Sequence, residues 1–314
     1  MPLPTFIIGG ERRCGTTSLY RWIQQHPEVY LYPKEDMDYF VESEIAGTRE
    51  WRNGEVDGEQ WERTHSAEDY ARLFEGGIGF RAIGQKDADL LFWRPTHSRL
   101  ARYLPDGRFI FILRNPVQRA WSHYWNEVAK GRESLSFDEA LAAEKERSRS
   151  NAYARNHLSY LARGFYEESL ESFFGHIEPA RVLIITLEQS RSLPGETLAE
   201  IYRFLGVDPK LGLEQVGTRH NENWAVVPRP WTRSRFAQPL DGAYMRLSEG
   251  LITRLVTTGP TRRRVRKYAQ VAFRRPATGI PMPERLRLRL AETYAPHIHN
   301  LERLLQKKFP EWTS

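Results

Sequence analysis

Two arginines side by side, Arg12 and Arg13, stand inside a glycine-bounded loop, Gly10-Glu11-Arg12-Arg13-Cys14-Gly15-Thr16-Thr17-Ser18. The glycine spacing is that of a phosphate-binding loop, but Thr16 occupies the place where a triphosphate site has lysine. Backbone N–H groups of such a loop and of the helix that follows can cradle an anion whatever side chains they carry. Cys14, Gly15, Thr16, Thr17 and Ser18 are therefore candidates for anion contact through the loop, and Arg12 and Arg13 through charge. The chemistry implied is the handling of a phosphate-like group that is not a triphosphate.

A second cationic position lies downstream. Arg114 follows the apolar run Phe109-Ile110-Phe111-Ile112-Leu113, and Ser122 lies about two turns into the segment opened by Pro116, roughly 9 Å along a helix axis. An arginine reaches across that distance, so a guanidinium fork and a hydroxyl can hold one phosphate together. A third cluster, Lys34-Glu35-Asp36-Met37-Asp38-Tyr39-Phe40, offers Glu35 or Asp36 as a base for an acceptor hydroxyl. Lys86, at the end of Arg81–Asp87, would share the rim of the same sheet. Each of these residues, taken alone, reads more readily as an ordinary surface group. Their order along the chain argues for a site.

Elements that could position them follow from periodicity. Thr5-Phe6-Ile7-Ile8 runs into the loop as a strand, and Leu19, Trp22 and Ile23 mark the helix after it. Val29–Tyr32, Arg81–Asp87, Phe109–Leu113 and Val182–Thr186 read as further strands, the last two as strands buried on both faces. Between them, a capping box at Ser136-Phe137-Asp138-Glu139 starts a helix and Ser66-Ala67-Glu68-Asp69 resembles another. Gly164-Phe165-Tyr166 precedes a helical pattern, and Leu198, Ile201, Tyr202 and Leu205 form an amphipathic one. Pro283–Phe309 reads as helix interrupted at Pro296. Strands alternating with helices predict an α/β fold, a three-layer arrangement with a central parallel sheet flanked by helices.

The chain has 314 residues, long enough for one large domain, with 46 Lys and Arg against 40 Asp and Glu and a formal charge of +6. The basic surplus shows at Arg262–Lys267 and Arg274-Arg275 and favours anionic partners, although a solvated basic helix has the same composition. Residues 217–282, rich in Pro, Arg, Asn and Trp at their start, read as a lid on the substrate side within a single domain 1–314. His220, Asn221 and Arg229 are polar candidates there, Arg229 for the ligand. The single cysteine excludes an intrachain disulfide and a cysteine-built metal site, and a cytoplasmic location is expected. No apolar run of membrane-spanning length is present.

The two loop motifs in this order resemble those of P-loop sulfotransferases that use 3'-phosphoadenosine 5'-phosphosulfate (PAPS), in the style of the bacterial and carbohydrate branch. Phe6–Leu19 is similar to the family's 5'-phosphosulfate loop. Leu113–Tyr124 is similar to its 3'-phosphate motif, with Arg114 and Ser122 at the binding positions. Gly164-x-Tyr166, Glu188 after the Val182–Thr186 strand, Phe204-Leu205-Gly206 and Leu301–Trp312 are weaker matches. The resemblance implies metal-independent transfer of a sulfuryl group to a hydroxyl, or less readily an amine, of a small-molecule, sugar or lipid-like acceptor. It also implies release of adenosine 3',5'-bisphosphate (PAP) and no nucleic-acid partner. Arg13 stands where the family has lysine, and Gln85 where a glutamate precedes the lysine matched by Lys86. An arginine serves as an electrostatic clamp but hardly gives up a proton. The family's base falls on Asp36 by counting back from Tyr39-Phe40, and on Glu35 by the Lys-Glu pairing. Two other classes fit parts of the pattern: a P-loop kinase of small molecules or nucleotides, and a non-catalytic binder of anionic polymers through the 262–275 run.

Overall fold

The computed structural model describes residues 2–34, 36, 39–40, 67–213, 226–228, 274–276 and 280–312. Five strands, β1 (Phe6–Gly10), β2 (Val29–Leu31), β3 (Ala82–Lys86), β4 (Arg108–Leu113) and β5 (Val182–Thr186), form one parallel sheet in the order β2-β3-β1-β4-β5. β1 is central, and the chain turns to opposite sides of it to reach β3 and β4. Such a reversal leaves a crevice outside the carboxyl ends of the strands, where α/β proteins bind ligands. In register, Ile8 faces Lys86 on one side and Gly10 faces Ile112 on the other. The sheet thus delivers the exits of β1, β3 and β4 to one edge.

Alternate residues of each strand feed opposite faces. Ile7, Phe109, Phe111 and Leu113 pack with Tyr70, Phe74, Leu170 and Phe173. Phe6, Ile8, Ile110 and Ile112 pack with Leu19, Trp22, Ile23, Leu198, Ile201 and Leu205. The helices that cover these faces include α1 (Thr16–Ile23), α2 (Ala67–Arg72), α3 (Thr96–Tyr103) and α4 (Pro116–Ala129). After them come α5 (Phe137–Ser150), α6 (Ala152–His157), α7 (Tyr166–Phe174), α8 (Leu187–Ser192), α9 (Pro194–Leu205) and α10 (Glu284–Leu305). The resulting α/β fold, a central parallel sheet between helical layers, is the one the strand and helix periodicity predicts.

Local chemistry sets the boundaries. Pro116 begins α4 behind Asn115, whose side chain accepts from the N–H groups of Val117 and Gln118. Ser136 and Glu139 complete the expected capping box of α5. The expected break at Pro296 does not occur: α10 runs through it for 22 residues. Proline there removes one backbone hydrogen bond, but burial of Leu286, Leu290, Tyr294 and Leu301 along a single face holds both halves to the body of the protein. Gly164 packs so closely on Tyr294 that a Cβ would lie 2.6 Å from its hydroxyl.

Among the described residues no helix is long and apolar enough to cross a membrane. Of the segment 217–282, only two short antiparallel strands, β6 (Val226–Pro228) and β7 (Arg274–Pro276), and the stretch from 280 are described. The proposed lid otherwise lies outside the described residues, as do Glu35, Arg229, His220, Asn221 and the run at 262–267.

Candidate active site at the carboxyl edge of the sheet

The loop between β1 and α1 is held in a shape that only particular residues tolerate. Gly10 has φ +148°, with the Ile112 carbonyl 2.5 Å from where a Cβ would be, so close strand pairing requires glycine. Gly15 has φ +100° and occupies the N-cap of α1, where no side chain caps the helix. The first turn of α1 thus opens with its positive end toward the loop, the Ser18 N–H donating to the Gly15 carbonyl at 3.0 Å. Arg13, between these glycines, is in the left-handed region at φ +73°. A β-bearing residue there is strained, and such strain concentrates at ligand sites.

This backbone turn separates the two arginines. Arg12 forks onto Asp89, with Nε to Oδ1 at 2.9 Å and Nη2 to Oδ2 at 2.6 Å, and also donates to Asn156 Oδ1 and His157 Nδ1. Arg13 turns the other way. Its Nε donates to Ser122 Oγ at 3.1 Å and its Nη1 approaches Asn126 Oδ1 at 3.5 Å, both on α4. Arg114, leaving β4, donates from Nη1 to the Arg13 carbonyl at 3.2 Å. The structure therefore brings together Arg13, Arg114 and Ser122, three residues that the sequence places more than a hundred positions apart at the extremes.

The electrostatics of this trio favour an anion. Burial, reinforced by the neighbouring Arg114, pushes Arg13 down to about 10, and burial also lowers Arg114 from its ordinary value. Both remain cations at neutral pH. Among the described residues no carboxylate forms an ion pair with Arg114, and its Nε is buried with no hydrogen-bond partner. The same holds for the Nε of Arg99, Arg119, Arg147 and Arg163, so what marks Arg114 is its position at the β4 exit, one hydrogen bond from the Arg13 carbonyl.

The rim of β3 carries the other expected group. Lys86, almost wholly buried, donates from Nζ to Asp36 Oδ2 at 2.8 Å, and the Ala88 N–H donates to Asp36 Oδ1 at 3.1 Å. Asp36 is half exposed and left-handed at φ +52°. The carboxylate is thus fixed by both oxygens at the strand exit beside the loop, with one side open to solvent. Cys14 contributes differently. Its side chain is buried in the core beneath the loop, 3.7 Å from the Tyr166 hydroxyl, and burial pushes the thiol up to about 12, so only its backbone faces the ligand side.

Several groups that shape the site were not singled out from the sequence. Asp89 and Arg163 form a buried pair at 2.7 Å, and Arg163 also bonds Glu11 at 2.9 Å. Burial works against ionisation of Asp89, yet Arg12 and Arg163 together hold its carboxyl well below the usual range. Glu11, by contrast, is raised by burial to about 7 against the pull of Arg163 and Arg119. His157 receives donors from both Arg12 and Arg132 at Nδ1, so that nitrogen must carry the lone pair, and burial with these two cations keeps the ring neutral. Arg163 precedes Gly164-x-Tyr166, the motif already noted, and Tyr166 donates to the Arg114 carbonyl at 2.8 Å. Gln85 lies in the core, where its Oε1 accepts from Tyr70. Glu188 closes the back of the site, accepting from the Asn115 N–H and from Trp312 Nε1, both at 3.2 Å.

The model of the sulfotransferase family matches residues 4–210, two-thirds of the chain, and the chain belongs to that family. A human bifunctional heparan sulfate N-deacetylase/N-sulfotransferase 3 is 27% identical over 212 residues, which are 66% of this chain and 23% of that protein. A mouse heparan sulfate glucosamine 3-O-sulfotransferase 3A1 is 26% identical over 205 residues, 65% of this chain and 46% of that one. The chain thus spans about a quarter of the length of the N-sulfotransferase relatives and less than half of the other. A sulfotransferase from Alicyclobacillus acidocaldarius superimposes with a TM-score of 0.68 at 26% identity, covering both chains completely.

Proposed function

We propose that this enzyme takes its sulfuryl group from PAPS and passes it to a hydroxyl or amine of a sugar-like acceptor. The observation that carries the reading is the meeting of Arg13, Arg114 and Ser122 at the mouth of an uncapped helix N-terminus. When bound, the donor supplies a sulfuryl group on a 5'-phosphate and a second phosphate at the 3' position, so it needs two anion sites. The loop and first turn from Gly15 to Ser18 with Arg13 would hold the 5' side, and Arg114 with Ser122 the 3' side.

Arg13 acts as a fixed cation over the developing charge of the leaving phosphate, which is worth most in a buried, preorganised site. As a guanidinium it keeps its proton, so the clamp works by charge and hydrogen bonding. Lys86, at the end of β3 and paired with Asp36, adds a positive charge on the acceptor side. Asp36 is the described carboxylate placed to accept the acceptor's proton, and the expectation that Glu35 is the base stands beside it. Arg12 is committed to Asp89 and supports the loop rather than the ligand. Transfer of this kind depends on positioning and charge, as phosphoryl transfer does. The heparan sulfate relatives support a sugar acceptor, because their names record both nitrogen and oxygen acceptors on glucosamine-containing chains.

Isothermal titration with PAP tests the donor. Wild type is expected to bind and Arg114→Ala to bind more weakly, whereas an absence of wild-type binding removes the reading. A screen for radiolabelled sulfate transfer to sugar, phenolic and lipid acceptors then identifies the acceptor class.

A further inference from the structure

Between the Asp36–Lys86 pair at the β3 exit and Arg13 on the loop lies a chain of contacts through Asp89, which itself touches neither proposed ligand site. Every residue of segment 86–89 is tied by a hydrogen bond or ion pair. Lys86 and the Ala88 N–H grip the two oxygens of Asp36. The Asp87 N–H is bonded to the Ile8 carbonyl of β1 at 2.9 Å, and the Asp87 carboxylate accepts from the Asp89 N–H at 3.1 Å. Asp89 then holds Arg12 by a fork and Arg163 by a single short bond, and it is only 9% exposed. Arg12 is joined by one peptide bond to Arg13.

We infer that Asp89 is a positioning residue, which fixes the spacing between the Arg13 clamp on the loop and the Asp36–Lys86 pair on β3. The inference rests on the sulfuryl-transfer reading for what is being spaced, and on contacts alone for the linkage. A donor and an acceptor must be brought into line within a fraction of an ångström for transfer, so a rigid tie between the two rims acts on the rate of the chemical step more than on binding. Two independent arms converge on the carboxylate. Arg12 comes from the loop, and Arg163 comes from the turn before α7 and reaches on to Glu11, the loop's first residue after β1. Asn156 accepts from both arginines, and His157 accepts from Arg12, so the guanidiniums cannot swing away without breaking several bonds at once.

Full-length Asp89→Asn and Arg12→Gln, with Asp89→Glu as the conservative replacement, test this in two ways. Hydrogen–deuterium exchange needs no ligand. Asp89→Asn is expected to speed exchange in peptides covering residues 10–16, and Arg12→Gln in those covering 86–90, each by about tenfold, while β4 and β5 stay unchanged. Steady-state kinetics should show kcat falling about tenfold or more with the donor KM within about threefold, partly restored in Asp89→Glu. Loosening confined to the mutated segment, or a loss in KM with kcat intact, overturns the inference. Should Asp89→Asn not fold, Arg12→Gln gives the same cross-wise test from the loop side. If wild type does not bind PAP, the sulfuryl-transfer reading fails, and the exchange pattern still decides whether Asp89 ties the two rims.

Discussion

Arg12 and Arg13 are neighbours in sequence and opposites in surroundings. Arg12 enters a pocket where acids and bases are matched: Asp89 and Glu11 against Arg12 and Arg163. Arg13 enters one where another guanidinium, Arg114, is close by, with the Glu127 carboxylate opposing it and hydrogen bonds to a hydroxyl and an amide among its contacts. The first pocket pairs opposite charges, and the second holds two guanidiniums at close quarters, the feature on which the proposed anion site rests. Burial alone does not distinguish a structural charge from a functional one; the sign of what is buried with it does.

The contrast is broken most directly at Arg13. Initial rates for Arg13→Ala should fall about 100- to 1,000-fold in kcat, the usual loss for one preorganised oxyanion donor, while Arg13→Lys keeps most of the turnover. A neutral Arg13→Ala would erase the distinction between the pockets. On the Arg12 side, Arg12→Gln leaves Asp89 with half its neutralising charge in a site from which water is largely excluded. Chemical denaturation should show a loss of about 3 kcal/mol, the order seen when one partner of a buried pair is removed.

The two carboxylates on Arg163 should titrate in opposite senses. Glu11 has a folded-state value of about 7 against an ordinary 4.5, so the folded protein binds more protons than the unfolded chain between those limits, and stability falls as pH rises through them. Asp89 is depressed, so its contribution is present above its ordinary range and is lost only in acid. Glu11→Gln should therefore gain progressively on wild type as pH rises from about 4.5 to 7, read from denaturation midpoints across that range. A parallel pair of curves would place Glu11 outside the matched set.

On the Arg13 side, Arg114→Ala should weaken PAP binding by about 2 kcal/mol, roughly 30-fold by calorimetry, as expected for loss of charge-assisted hydrogen bonds. Ser122→Ala should cost about 1 kcal/mol in the same assay, being one neutral donor. If Ser122→Ala were the larger effect, the phosphate would be held by the helix and not by the arginine.

The meeting of Arg13, Arg114 and Ser122 was legible in the sequence and the Asp89–Arg163 pair was not, for a physical reason. The loop glycines and the apolar run ending in Arg114 are local patterns, and local patterns fix strand exits; once the sheet order is right, Arg13, Arg114 and Ser122 must meet. Lys86 and Asp36 followed from the same logic at β3. Asp89 and Arg163, 74 residues apart, carry no such local mark, and an arginine in the sequence reads as surface until its burial is seen. Arg12 was read with Arg13 as a ligand contact because spacing says nothing of φ, and the left-handed turn at Arg13 is what sends the two side chains apart. The break expected at Pro296 failed similarly: a local rule lost to the apolar face of a long helix.

The tie between Glu188 and Trp312 bears on how the protein is made. Asn115, next to Arg114, donates from Nδ2 to the Trp312 carbonyl at 3.2 Å, while Glu188 spans the Asn115 N–H and the Trp312 ring N–H. The arginine's neighbourhood is thus finished by a residue nearly two hundred positions later. A chain emerging from the ribosome can lay down β1 to β5 and still lack the wall behind Arg114. Donor affinity should therefore arise late in vectorial synthesis, after the sheet itself has formed.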